Sequence, residues 1–153
     1  LASTTANNQF RVCSTAQHVN DFSLVQGANA QVTGIKTLTE LHTLGSGATS
    51  DTTITIPAGA LLLYASTRVT TAVTTSSATN TFDIGTAAVA TRFATASSGA
   101  LNTTNKGFDT DGGFARYYAG ATAIRFDAAG AETFTAGVIR VTLHYIEIDV
   151  PTS

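Results

Sequence analysis

The sequence predicts an all-β domain, an antiparallel β-sandwich with a jelly-roll-like topology. Apolar and polar residues alternate over short segments, and turn-forming residues separate these segments every 8–12 positions or so. No window of about a dozen residues keeps the i, i+3, i+4 spacing of an amphipathic helix. Threonine makes up 29 of the 153 residues, and its stiff, β-branched hydroxyl side chain suits a strand with one solvated face.

The chain divides near residue 36 into two predicted parts. Residues 1–36 contain short apolar pairs between polar breaks, with the turn-forming stretch 26–34 among them. Strands this short cannot bury a core of their own. We therefore expect residues 1–36 to form an extended β connector that leans on a neighbouring chain or module, and residues 37–153 to form the sandwich.

The first strands of the sandwich segment differ in clarity. In residues 37–44 both parities carry a leucine, so the buried face stays open. The next strand ends at Pro57, which lacks an N–H group and fits an edge or a corner. The following strand is expected to bury its odd-numbered positions. These are Leu61, Leu63, Ala65, Thr67 and Val69.

The second half of the domain has short strand signals and one long one. The short signals offer four core candidates, Phe82, Ile84, Ile124 and Phe126. The segment 86–113 is rich in small and polar residues, so we expect loops around a short strand at 91–95. The last strand alternates most cleanly of all. Its predicted core face consists of Ile139, Val141, Leu143 and Tyr145.

Charge and cysteine content exclude several classes of function. Charged residues make up 12% of the chain and the formal net charge is −2, so no basic field would attract nucleic acid. No apolar run approaches 18 residues, and no membrane insertion is expected. Cys13 is the single cysteine, which excludes an intrachain disulfide. With only His18 nearby, it does not form a zinc pattern.

The sequence shows no pattern of catalytic residues. His144 lies on the polar side of the last strand, and the sequence supplies no carboxylate to orient it as a base. We expect a hydrogen-bonding or packing role for it. The acidic residues are scattered, whereas a glycosidase needs two carboxylates at a defined separation. We therefore expect no enzymatic activity and no cofactor.

Asp109 and Asp111 begin a stretch that partly matches a calcium loop. The fifth position lacks Asn or Asp and the twelfth is Gly120, so the EF-hand pattern fails. An Asp-Gly turn is the simpler interpretation, and a looser calcium site remains an alternative. We predict no metal site.

Arg116, Tyr117 and Tyr118 form the densest cluster of aromatic and cationic residues. Flat apolar rings beside planar donors are suited to sugars, so these three residues, with Asp109 and Asp111, are candidates for glycan contact. In a strand, Arg116 and Tyr118 would share one face and Tyr117 would point away. The alternative is a strand with one core tyrosine and one tyrosine at a subunit contact.

Four segments taken together resemble a known family. They are residues 53–60 (TITIPAGA), 68–71 (RVTT), 82–85 (FDIG) and 137–145 (GVIRVTLHY). In this order, within residues 37–148, they look like the β-sandwich module near the C-termini of bacteriophage virion proteins, which include tail fibres, tailspikes and head spikes. The resemblance implies a homotrimer, with residues 1–36 similar to connectors in which three chains wind together.

The resemblance also implies a location and partners. It suggests a module on the virion exterior that contacts other virion proteins and host cell-surface polysaccharide, where three copies would raise avidity. The alternative is a capsid decoration or cement protein, or a cap that trimerises the fibre without binding a receptor. A secreted carbohydrate-binding domain is a third class, and the absence of Trp and of a disulfide argues against it.

Overall fold

The computed structural model describes residues 34–107 and 115–147, which form nine β-strands and no helix. The strands are β1 (Lys36–Thr43), β2 (Thr49–Ile56), β3 (Ala60–Thr75), β4 (Thr81–Thr86), β5 (Val89–Ser98), β6 (Thr104–Gly107), β7 (Arg116–Tyr118), β8 (Thr122–Ala128) and β9 (Phe134–Glu147). The all-β prediction is confirmed. None of these described residues forms a helix that is long and apolar enough to cross a membrane.

Two antiparallel sheets form a sandwich. Sheet A has the order β1-β9-β3-β6, and β7 pairs with β3 beyond the end of β6; sheet B has the order β2-β8-β4-β5. Because β6 and β7 pair with successive parts of β3, they occupy the place of one strand. The result is two sheets of four strand positions each, in jelly-roll order. The predicted sandwich is confirmed, and the Pro57 corner connects sheet B to sheet A as β2 ends and β3 begins.

The core lies between the sheets, and most strands contribute alternate residues to it. The four predicted short-strand residues are all buried, and so is the predicted face of β9. Phe82 packs edge-on against Phe126 and Phe134, with ring centroids 5.9 and 6.5 Å apart. Strict alternation in β9 therefore predicted its buried face correctly.

The start of β3 differs from the prediction. The residues buried there are Ala60, Leu62, Ala65, Thr67 and Val69. The pairing of β3 with β9 shifts register between Leu62 and Tyr64, which marks a β-bulge. A bulge inserts one residue and reverses which parity faces the core. The prediction is therefore wrong for Leu61 and Leu63, which are only half-buried.

The segment that follows β4 is more regular than predicted. β5 spans ten residues and β6 four, where loops were expected around a short strand. Small residues here serve close packing rather than turns: a Cβ added to Gly107 would lie 2.3 Å from the carbonyl oxygen of Phe93. Most of the predicted connector, with Cys13 and His18, lies outside the described residues, as do residues 108–114.

Candidate interaction surface

The outer face of sheet A is formed by residues that alternate with core residues and point away from sheet B. On β9, Arg140 is exposed and Thr142 and His144 are half-buried. The His144 ring stacks on Tyr64 of β3 with centroids 4.1 Å apart, and burial lowers the pKa of the imidazole. His144 thus packs against its neighbouring strand.

One end of this face carries an apolar band, defined here as Ile35, Leu61, Tyr117 and Ile146. Leu61 pairs with Ile146 on one side and with Tyr117 on the other. Ile35 directly precedes Lys36, the partner of Tyr145, so it continues the row beside Ile146. Ile35 is 60% exposed and Tyr117 is 50% exposed. The band therefore crosses the full width of sheet A.

Farther along the same face lies a cationic cluster, defined as Arg68, Lys106 and Arg140. Arg68 and Arg140 are directly opposite each other on β3 and β9, and Lys106 of β6 pairs with Ser66, the next outward position on β3. All three cations are exposed and border a shallow depression of about 220 Å³. Within the described part of the chain, none of them forms an ion pair with a carboxylate.

The outer face of sheet B has the opposite charge. Arg125 donates to both oxygens of Asp51, at 2.7 and 2.8 Å, which lowers the pKa of that carboxyl. Asp127 and Asp83 are opposite each other on β8 and β4. Burial raises the pKa of Asp127, Arg125 offsets part of this effect, and the charges of Asp83 and Asp51 add to the rise.

A polar cluster joins the two sheets where β1 and β2 run side by side. His42 Nδ1 lies 2.9 Å from Glu40 Oε1, and His42 Nε2 lies 2.9 Å from Ser50 Oγ. Serine, imidazole and carboxylate occur here in the order of a catalytic triad. The imidazole, however, is only 7% exposed and stacks on Phe126 at 5.7 Å. We call Glu40, His42 and Ser50 the polar clasp. Because its imidazole is buried and packed, the polar clasp links β1 of sheet A to β2 of sheet B at the edge of the sandwich.

Burial of Glu40 favours its neutral form, but hydrogen bonds to the carboxylate outweigh burial. The Ile54 N–H donates to Glu40 Oε2 at 2.7 Å, and His42 and Thr53 contribute further hydrogen bonds. The pKa of Glu40 is therefore lowered. The sequence did not reveal the polar clasp, because both parities of β1 carry apolar residues and His42 could have faced either way.

The structure separates the predicted glycan-contact residues. Tyr118 faces the core and is 8% exposed, while Tyr117 lies on the outer face of sheet A and Arg116 is exposed. Asp109 and Asp111 lie outside the described residues. Glycan contact through Arg116 and Tyr117 stays a prediction. Within residues 34–107 and 115–147, no group of three His, Cys, Asp or Glu side chains could bind a metal ion.

Comparison with known proteins gives a match in structure alone. No family model matches the chain, and a search of curated proteins finds no match either. The chain is similar to one chain of a solved structure described as the cyanophage Pam1 capsid asymmetric unit. The TM-score is 0.56, the sequence identity is 20%, and the alignment covers 96% of this chain and all of that one. At this identity, the likeness shows a shared fold.

Proposed function

We propose that this chain is a structural protein of a bacteriophage virion, exposed on the capsid surface as a decoration or cement protein, without catalytic activity. The observation that carries the proposal is the match to a chain of a phage capsid asymmetric unit over nearly the whole of both chains. That neighbour is thus a sandwich of similar size. The jelly roll is an architecture that viral capsid domains use repeatedly, which adds support.

We further propose that the protein is a homotrimer and that the apolar band forms its subunit contact. Ile35 and Tyr117 are among the most exposed large apolar side chains of the described residues, and they lie in one row with Leu61 and Ile146. Contiguous exposed apolar surface commonly marks a protein contact. A neighbouring subunit that covers the band would remove this surface from water.

The virion location can be tested on purified particles. Mass spectrometry should detect this chain in intact virions, and gold-labelled antibodies against it should decorate the capsid. Label confined to the tail tip would favour the second candidate below, and absence of the chain from particles would overturn the virion role.

The trimer has its own test in sedimentation. At micromolar concentration the wild-type protein should sediment with three times the mass of the chain. Tyr117→Asp should sediment as a monomer, because a charge in the band opposes its burial. Leu41→Asp introduces the same charge at an equally exposed apolar site outside the band and should remain trimeric. A monomeric wild type contradicts the proposal.

A second candidate function is a fibre, tailspike or head-spike tip that contacts host polysaccharide. The specific observation is that Tyr117 presents a half-exposed ring on the outer face of sheet A and is followed and preceded on β7 by other candidate residues, of which Arg116 is exposed. In this candidate function Tyr117 stays accessible, as the alternative to its role in the subunit contact. The test is binding of the purified protein to host cells and to a glycan array. Tyr117→Ala should weaken binding at least about tenfold, since stacked aromatic contacts supply much of such affinity. Equal binding by this variant and by wild type would rule out the site.

A further inference from the structure

We propose that the cationic cluster Arg68, Lys106 and Arg140 is the docking site for a different virion protein, which presents carboxylates to it. The inference rests on the proposed structural role in a virion and names the chemistry of the partner. It concerns a surface separate from the apolar band, because Arg140 and Ile146 are six residues apart on β9, or about 20 Å.

Among the residues that the structure describes, none of the three cations in the cluster forms an ion pair with a carboxylate. Arg125 on sheet B has a bidentate partner in Asp51, and Lys36 pairs with Glu147. Arg68 and Arg140, in contrast, are directly opposite each other, an arrangement in which like charges destabilise a sheet. An external carboxylate would turn this repulsion into two charge-assisted hydrogen bonds.

Hydrogen bonds within the chain also hold the Arg68 side chain in place. Its Nη2 donates to Asn102 Oδ1 at 2.8 Å, and Asn102 occupies a turn with φ of 69°, a conformation that asparagine tolerates well. The Asn102 N–H in turn donates to the Val69 carbonyl at 2.9 Å. A guanidinium held in this way loses less freedom when it binds a carboxylate.

Apolar residues at both ends of the cluster favour a protein as the partner. Leu41 is directly opposite Arg140 and is 57% exposed, and Leu101, similarly exposed, directly precedes Asn102. Arginine between exposed apolar side chains is the composition of a protein–protein interface. A polysaccharide or nucleic acid would leave the two leucines without apolar contacts.

A second copy of this chain does not suit the cluster. Among the described residues, the acidic face is the outer face of sheet B, which points away from sheet A; there Asp51 is exposed and Asp83 and Asp127 are half-buried. Docking the acidic face of one copy on the basic face of the next would be a head-to-tail contact between faces that point in opposite directions. Such a contact does not rotate successive copies enough to close a three-membered ring, so it would generate an open filament. A closed trimer therefore leaves the cluster free for a different chain.

Zero-length carbodiimide cross-linking of intact virions tests this inference. The reagent joins an amine to a carboxylate in direct contact, and the chain has two lysines, Lys36 and Lys106. Lys36 should couple to Glu147 and serves as an internal positive control. We expect Lys106 to couple to an Asp or Glu of another virion protein, which mass spectrometry of the cross-linked peptides would identify.

Each alternative result has a distinct meaning. Coupling of Lys106 only to carboxylates of this chain, within or between copies, overturns the inference. So does an uncoupled Lys106 in particles where Lys36 and Glu147 have coupled. Absence of the chain from the particles overturns the proposed function and this inference with it.

A matched pair of substitutions to glutamate gives a second measurement. Arg140→Glu should lower the amount of protein incorporated per particle by about tenfold, because it places a like charge against the partner's carboxylates. Thr91→Glu adds a carboxylate at an exposed position of sheet B without breaking an ion pair, and it should stay within about twofold of wild type. Thermal unfolding of both purified variants shows that they fold. Equal incorporation of the two folded variants contradicts the docking site.

Discussion

His42 Nε2 on β1 lies 2.9 Å from Ser50 Oγ on β2, although the two strands belong to different sheets. Both are edge strands, where backbone groups lack a neighbouring strand on one side. The polar clasp links the edges through side chains, and Glu40 accepts from the Ile54 N–H where β2 loses its pairing with β8. Side-chain hydrogen bonds thus connect the two sheets at edges where backbone hydrogen bonds are missing.

Replacing the clasp imidazole should destabilise the fold. We expect His42→Ala to lower the free energy of unfolding by about 2–4 kcal/mol, because it removes a buried ring and leaves Glu40 and Ser50 short of a partner. Urea denaturation measures the change. Leu41→Ala, at the exposed neighbouring position, should cost no more than about 0.5 kcal/mol. Equal losses in the two variants would show that the clasp adds nothing.

Stability should fall in acid, in part through Glu40. Its pKa in the folded protein is lowered, so its ionised form contributes stability above about pH 4.3, the usual value for Glu. This contribution is lost as the pH falls through the folded-state pKa. Glu40→Gln should cost about 1–3 kcal/mol at pH 7 and flatten the decline. Asp51, whose pKa is also lowered, keeps some decline in place. Urea denaturation at several values between pH 3 and pH 7 measures how the free energy of unfolding changes with pH. If the variant and the wild type show the same dependence, Glu40 does not have this role.

Asp127 should have the opposite effect. Burial raises its pKa in the folded protein, so its ionised form costs stability at neutral pH and costs nothing below the unfolded-state pKa, where both states are protonated. Within residues 34–107 and 115–147, no group donates a hydrogen bond to its buried Oδ2 oxygen. Asp127→Asn should therefore stabilise the protein by about 0.5–1 kcal/mol at pH 7, and the gain should disappear near pH 3. A gain that persists at pH 3 in thermal unfolding would point to another cause.

Gly85 should tolerate no side chain. A Cβ at this position of β4 would lie 2.1 Å from the Val89 carbonyl oxygen, so the hairpin to β5 would have to open. We expect Gly85→Ala to cost about 3 kcal/mol or more. Gly120→Ala, where a Cβ meets no atom within 4 Å, should stay within about 0.5 kcal/mol of wild type. Chemical denaturation measures the free energy of unfolding of both variants. Equal values would show that the close approach of Gly85 to the Val89 carbonyl oxygen does not affect stability.

Alternation made parts of the candidate surface predictable. Because successive side chains of a strand point to opposite faces, the sequence could separate Tyr118 from Tyr117 and assign the buried face of β9. It could not assign Leu61, since the bulge between Leu62 and Tyr64 depends on pairing with β9. The orientation of His42 was also ambiguous in the sequence, because both faces of β1 carry apolar residues and the burial of His42 depends on the position of β2.

The fold class follows from the sequence alone, because period-two alternation and turn-forming residues are local properties of the chain. The sequence also set the low charge and the absence of a helical pattern. Which cations lie next to each other depends on how the strands are arranged in the folded protein. Arg68, Lys106 and Arg140 lie far apart in the chain, and they form one cluster because the jelly-roll order places β9 and β6 on either side of β3. Such neighbours are set by strand order, which no local pattern encodes.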